Sequence, residues 1–160
     1  MVLITGGVKS GKSSYALKLS DKFNKPKLFI ATATASDEEM RRKIKRHQDE
    51  RGSGWNLFEE PVKIYNAFNE IADLYLLDCL TLWVSNLIYY DEDVEENFDK
   101  FIKSIKKNTI IVTNEVGLGI IPDNELSRKY LNLLGDINKR IAQIADDVFM
   151  MISGIPVKIK

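Results

Sequence analysis

Five short apolar runs recur along the chain, each far enough from the next to leave room for a helix. Val2-Leu3-Ile4 and residues 27–33, 74–77, 109–113 and 148–153 are nearly continuous rather than alternating, the pattern of strands buried on both faces. Between them the period lengthens. Tyr15, Leu19 and Phe23 recur at four-residue intervals and predict a helix over 13–23. Ser36 and Glu39 form a capping-box pattern, so a second helix is expected over 37–51. Further helices are expected over 62–71, 80–90, 94–107 and 123–146, with extended segments at 55–60 and 157–160. Asn24-Lys25-Pro26, Gly52-Ser53-Gly54 and Pro61 supply the breaks. Strands alternating with helices predict an α/β fold, a mostly parallel sheet with helices on both faces. At 160 residues, without repeat or linker, the whole chain 1–160 is expected to be one domain.

The turn after the first run is the most informative stretch. Gly6, Gly11, Lys12 and Ser13 fit G-x-x-x-x-G-K-[ST], in which backbone N–H groups cradle phosphate, the lysine neutralises charge and the hydroxyl ligates Mg²⁺. A strand before it and a helix after it are the required context. The expectation is therefore a P-loop NTPase fold with a RecA-like sheet. That loop alone does not choose between kinases, switches, motors and transferases.

Other positions narrow the choice. The run 74–77 ends in Asp78, which either holds Mg²⁺ through water at the strand's end or caps the helix that follows. The run 27–33 ends in small residues that leave room for a ligand. Residues 114–119 form a polar, glycine-bearing turn on the edge where open α/β sheets bind ligands. Met40, Ile44 and His47 share one face of the 37–51 helix, with Arg51 one turn on. A neutral imidazole there could attack phosphorus and carry a phosphoryl or nucleotidyl group, with Lys45, Arg46 and Arg51 to hold phosphates. Taken alone, a histidine on an apolar helical face is more often a satisfied buried residue; the neighbouring cations favour the chemical reading.

Composition removes several classes. Lys plus Arg and Asp plus Glu each number 23, so no overall field favours nucleic acid or an anionic membrane. The basic cluster 41–46 is followed at once by Asp49 and Glu50 and has no interleaved aromatic platform, so no nucleic-acid partner is expected. The single cysteine, Cys79, excludes an internal disulfide and a cysteine-rich zinc site, and its apolar surroundings predict a core position. No signal pattern opens the chain and no apolar run approaches the roughly 18 residues of a membrane span. The expectation is a soluble cytoplasmic protein.

Together these segments carry a family resemblance. TGGVKSGKS at 5–13, IATA at 30–33, RHQDERGSGW at 46–55, NEVGLGIIPDN at 114–124 and ISGIPVKIK at 152–160 stand in the order of one family. The chain resembles, from its first residues to its last, the bifunctional adenosylcobinamide kinase and adenosylcobinamide-phosphate guanylyltransferases of cobalamin synthesis. The resemblance implies that the aminopropanol hydroxyl of adenosylcobinamide is phosphorylated by ATP or GTP. GMP then passes from GTP to that phosphate through a guanylylated histidine. It implies that His47 is that histidine, in the pattern His47-Gln48-Asp49-Glu50-Arg51, and that Lys12 is catalytic. Gly6, Gly7, Val8, Lys9, Ser10, Gly11, Lys12 and Ser13 would hold triphosphate. Thr32, Ala33 and Thr34 would line the nucleotide pocket, and Gln48, Asp49, Glu50, Arg51, Glu59 and Asp78 would contribute to GTP binding. GTP, ATP and Mg²⁺, the last on Ser13 and Asp78, are the implied cofactors. Adenosylcobinamide and its phosphate are the implied substrates, and a compact homo-oligomer the implied assembly. Two positions depart from the family's usual pattern: Lys9 stands where arginine is usual, and Asp78 where glutamate is. The rival readings are a small nucleoside or nucleotide kinase without a covalent intermediate, and a P-loop ATPase that binds nucleic acid or a partner through the 41–46 cluster.

Overall fold

The computed structural model describes residues 1–24, 26–33, 38, 42 and 52–160. Its elements are β1 (Val2–Gly6), α1 (Lys12–Ser20), β2 (Lys27–Ala31), β3 (Trp55–Glu59), a 3-10 helix (Ile64–Asn69), β4 (Leu74–Leu77) and α2 (Leu80–Tyr89). They continue with α3 (Val94–Ser104), β5 (Thr109–Val112), α4 (Glu125–Ile144), β6 (Asp147–Ile152) and β7 (Ile155–Lys158). The seven strands form one sheet in the order β3-β2-β4-β5-β1-β6-β7. All neighbours pair in parallel except β6 and β7. The mostly parallel α/β sheet is thus the one expected, closed by an antiparallel hairpin. The extended segment around Trp55 is an edge strand of that sheet, paired along β2. Of the helix expected over 37–51, Glu38 and Arg42 are described; both are helical and form an i,i+4 ion pair at 3.5 Å.

Alternate residues of each strand feed two cores, as strand geometry requires. Leu3, Leu28, Ile30, Tyr75, Leu77, Ile111 and Val148 pack on one face against α2, α3, α4 and the 3-10 helix. Ile4, Phe29, Leu74, Leu76, Ile110, Val112 and Met151 line the other, against Ala16 and flanking residues of α1. Trp83 and Phe101, both fully buried, lie 5.4 Å apart at the centre of the first core, and Phe101 also meets Phe68 at 5.9 Å.

Three local expectations are corrected. Residues 62–71 form the short 3-10 helix instead of an α-helix, because outside groups take its first-turn partners. Trp83 Nε1 donates to the Val62 carbonyl at 2.6 Å, the carbonyl an α-helix would give to the amide of Asn66. Asn66 N turns instead to Lys63 O, three residues back. The first helix is shorter than expected and turns Ala16 and Ser20 to the sheet. Ser20 Oγ donates back to Leu17 O, the turns that follow reach three residues back, and Phe23 is exposed. Cys79, expected in the core, is only half-buried and is the N-cap of α2, its Sγ accepting from Leu82 N at 3.3 Å.

Phe101→Ala should lower the free energy of unfolding by about 3–5 kcal/mol, since its ring has buried partners on two sides that cannot collapse into the space. Urea unfolding should show a lower midpoint with little change in slope.

Candidate functional site

Parallel strands deliver their C-terminal exits to one edge, and the chemistry-bearing residues gather there. The glycine loop leaves β1 between Gly6 and Lys12. It is built from backbone conformations that side chains resist: φ is 146° at Gly6, 57° at Lys9 and 93° at Gly11. A Cβ at Gly6 would stand 2.6 Å from the Met151 carbonyl oxygen. Gly11 is the N-cap of α1 and supplies no side-chain acceptor, and no acidic residue stands in the helix's first turn. The amides of that turn are therefore open to an anion, favoured there by the helix dipole. Lys12 folds over the loop, Nζ donating to Gly6 O at 3.0 Å and Gly7 O at 2.6 Å, which keeps its cation at the cradle. Ser13 follows half-buried in the same turn, and Val8 is exposed at the loop's crest.

Two neighbours brace the loop. On one side Glu115 N, just past β5, donates to Gly6 O at 3.1 Å. On the other, Ser153 and Gly154 have φ of 50° and 85°, as a tight two-residue hairpin between β6 and β7 requires. Gly154 N donates to Ser10 O at 3.0 Å, and a Cβ at Gly11 would come within 3.3 Å of Gly154 Cα. The tail segment ISGIP thus serves as a prop for the phosphate loop.

The other exits lie along the same edge. Asp78 follows β4, its N–H donating to Ile30 O at 3.1 Å. The N-cap alternative for it is not realised, because Cys79 holds that position. Thr32 follows β2 and is buried, its hydroxyl donating to Cys79 O at 3.0 Å. Asn86 Nδ2 ties the exits of β2 and β3 by donating to Thr32 O at 2.8 Å and Pro61 O at 3.0 Å. Ala33 follows Thr32, and Glu59 ends β3 exposed. Thr34, His47, Gln48, Asp49, Glu50 and Arg51 lie outside the described residues.

A polar network behind this edge has no signature in the residue pattern. Thr113 Oγ1 donates to Asn138 Oδ1 at 2.8 Å and stands 3.2 Å from Thr81 Oγ1, which accepts from Asn114 N at 2.6 Å. With the Thr113 proton committed, the Thr81 hydroxyl must be the donor between the two threonines. Asn138 Nδ2 completes the circuit by donating to Asn114 O at 3.0 Å. Tyr130 donates to Thr81 O at 3.1 Å, and burial pushes its phenol up to about 12, so it stays a neutral donor. Residues from α2, α4 and the exit of β5 thereby fix one turn. The polar turn was legible, but its partners lie 24 to 33 residues away with no pattern to link them.

The family model described as cobinamide kinase / cobinamide phosphate guanyltransferase matches residues 2–159. The chain belongs to this family. It is a P-loop transferase of cobalamin biosynthesis, a kinase and guanylyltransferase, and uses nucleotide. A bifunctional adenosylcobalamin biosynthesis protein of Pseudomonas aeruginosa is 36% identical over 166 residues, 99% of this chain and 96% of the relative. One of Salmonella typhimurium is 34% identical over 182 residues, covering 100% of this chain and 99% of the relative. Among solved structures, an ATPase of the type III secretion system of pathogenic bacteria matches with a TM-score of 0.53 at 12% identity. It covers 98% of this chain and 56% of that one, a likeness of fold alone. No helix among the described residues is long and apolar enough to cross a membrane.

Gly6→Ala tests the cradle. Strain of about 1–3 kcal/mol at such a position corresponds to nucleotide affinity weakened roughly 5- to 150-fold, measured by titration with a fluorescent nucleotide.

Proposed function

We propose that this chain phosphorylates adenosylcobinamide with ATP or GTP and then transfers GMP from GTP to the new phosphate through a guanylylated His47. In the first reaction the acceptor oxygen attacks the γ-phosphorus and a nucleoside diphosphate leaves. In the second, the His47 imidazole attacks the α-phosphorus of GTP and pyrophosphate leaves. The acceptor phosphate then displaces the imidazole, giving adenosylcobinamide-GDP. The observation that carries this reading is the extent of the family match. Residues 2–159 include the phosphate loop, the His47-to-Arg51 segment and the terminal hairpin alike.

Each half has a physical rationale in the loop. The N–H groups from Gly6 to Ser13 and the Lys12 ammonium stabilise negative charge as it builds on the leaving phosphate. The residues present fit Mg²⁺, with the Ser13 hydroxyl at the cradle and the Asp78 carboxylate at a strand exit on the same edge; when bound, the ion offsets charge on the phosphates. Few protein ligands suit it, because Mg²⁺ keeps several waters. Ala33, Thr34, Gln48, Asp49, Glu50, Arg51 and Glu59 are assigned to the nucleotide. Thr32 is assigned to shaping the pocket wall, given the bond its hydroxyl makes to Cys79 O. Lysine at position 9 keeps a cation in the loop without arginine's bidentate fork. The working unit is a homo-oligomer.

Incubation with GTP labelled at the α-phosphate should leave label on the denatured wild-type chain, acid-labile and base-stable as a phosphoramidate is. His47→Ala should take up none. An unlabelled wild type, or equal labelling of the variant, would return the chain to the simple kinase reading. Lys12→Ala should lower phosphorylation of adenosylcobinamide roughly 10²-fold or more, followed by transfer of γ-label from ATP.

A further inference from the structure

The roles given to Lys12, Asp78, Glu59 and His47 leave unused the carboxylate of Glu115, just past β5. We propose that Glu115 is the general base of the phosphorylation half, taking the proton from the acceptor hydroxyl as it attacks. The proposal rests on the two-reaction assignment made above.

β5 lies between β1 and β4, so its exit opens between the phosphate loop and Asp78. Glu115 N donates to Gly6 O at 3.1 Å, which sets its backbone against the first residue of the cradle. The chain is fixed on either side of it. Asn114 is bonded through its N–H to Thr81 and through its carbonyl to Asn138, and Val116 packs against the larger core. The Glu115 side chain is nevertheless only half-buried. Its Oε1 accepts from Gly117 N at 2.8 Å, and Oε2 has no partner among the described residues. The turn beyond it carries exposed apolar side chains, with Leu118 77%, Ile120 95% and Ile121 74% exposed. A rigidly based carboxylate with one oxygen held and one available is what a base needs, since proton transfer depends on position first.

An alcohol must lose its proton on becoming a phosphate ester. The proton passes to Glu115 Oε2 while the acceptor oxygen bonds to the γ-phosphorus. The bond from that phosphorus to the bridging oxygen breaks, and the nucleoside diphosphate leaves with the electron pair. The second half makes no such demand. Its acceptor is a phosphate monoester, already anionic near neutral pH, and its first nucleophile is a neutral imidazole. One base is therefore required in one half only.

The test measures both halves on the same preparations of wild type, Glu115→Gln and Glu115→Asp. One assay follows γ-label from ATP to adenosylcobinamide, the other α-label from GTP to adenosylcobinamide phosphate. In Glu115→Gln the ratio of phosphorylation to guanylyl transfer should fall roughly 10²-fold or more, with KM for ATP within about threefold of wild type. In Glu115→Asp, which keeps a carboxylate, the ratio should recover in part. An unchanged ratio overturns the proposal, whether both rates persist or both fall together; a joint fall would make Glu115 a brace of the loop. A wild type that performs neither reaction overturns the two-reaction assignment instead, and needs no variant to show it.

Discussion

The sheet edge that carries the phosphate-loop motif depends on holding a strained loop still. Lys9 at φ 57° and the open conformations at Gly6 and Gly11 are ones a free chain visits at a cost. An anion cradle works only if its N–H groups already point at one spot before the anion arrives. The fold meets that demand by flanking β1 on both sides. β5 sends Glu115 N to Gly6 O, and the β6–β7 turn sends Gly154 N to Ser10 O. The loop is thus clamped at its entry and near its exit by backbone from two different neighbours. Conformational strain is offset by bonds that form only when the sheet has assembled, so the cradle is a property of tertiary structure rather than of eight residues.

The clamp is only as stiff as its own supports. On the β5 side the Thr81, Thr113, Asn138 and Asn114 circuit satisfies buried donors and acceptors from three elements. Such a network tolerates no missing member, because an unpaired buried group costs about 1–3 kcal/mol. On the β6 side the support is a turn in which Ser153 and Gly154 both adopt positive φ. A hairpin that short transmits the register of the sheet directly to the loop, since Ile152 and Ile155 are paired partners.

The framework was largely legible because strand burial writes itself as apolar runs, and the phosphate loop because its backbone requires glycine at fixed spacing. What failed to show was competition. Residues 62–71 have an apolar face, Ile64, Ala67 and Phe68, that suits an α-helix and a 3-10 turn alike; the Trp83 indole, 21 residues away, decided between them. Asp78 and Cys79 both offer a capping atom before α2, and residue type favoured the aspartate. The backbone chose the cysteine, which leaves the acid at the strand exit. The Thr81 and Asn138 partners were invisible for a related reason: single polar residues on helix faces look alike until the fold brings them to the same turn.

One cradle serving two attacks raises a geometric question that the proposed chemistry answers simply. Attack at the γ-phosphorus expels a nucleoside diphosphate, and attack at the α-phosphorus expels pyrophosphate. The β-phosphate belongs to the leaving group in both. A loop that grips the β-phosphate through Gly6 to Ser13 and Lys12 is therefore stabilising the departing charge in either reaction, and need not rearrange between them. On that proposal the choice of phosphorus falls to whichever nucleophile stands in line, the acceptor alcohol or an imidazole. Rigidity at the P-loop and selectivity at its surroundings then become separate tasks. This explains why so much of the fold, two neighbouring strands and a buried polar circuit, is devoted to immobilising one turn.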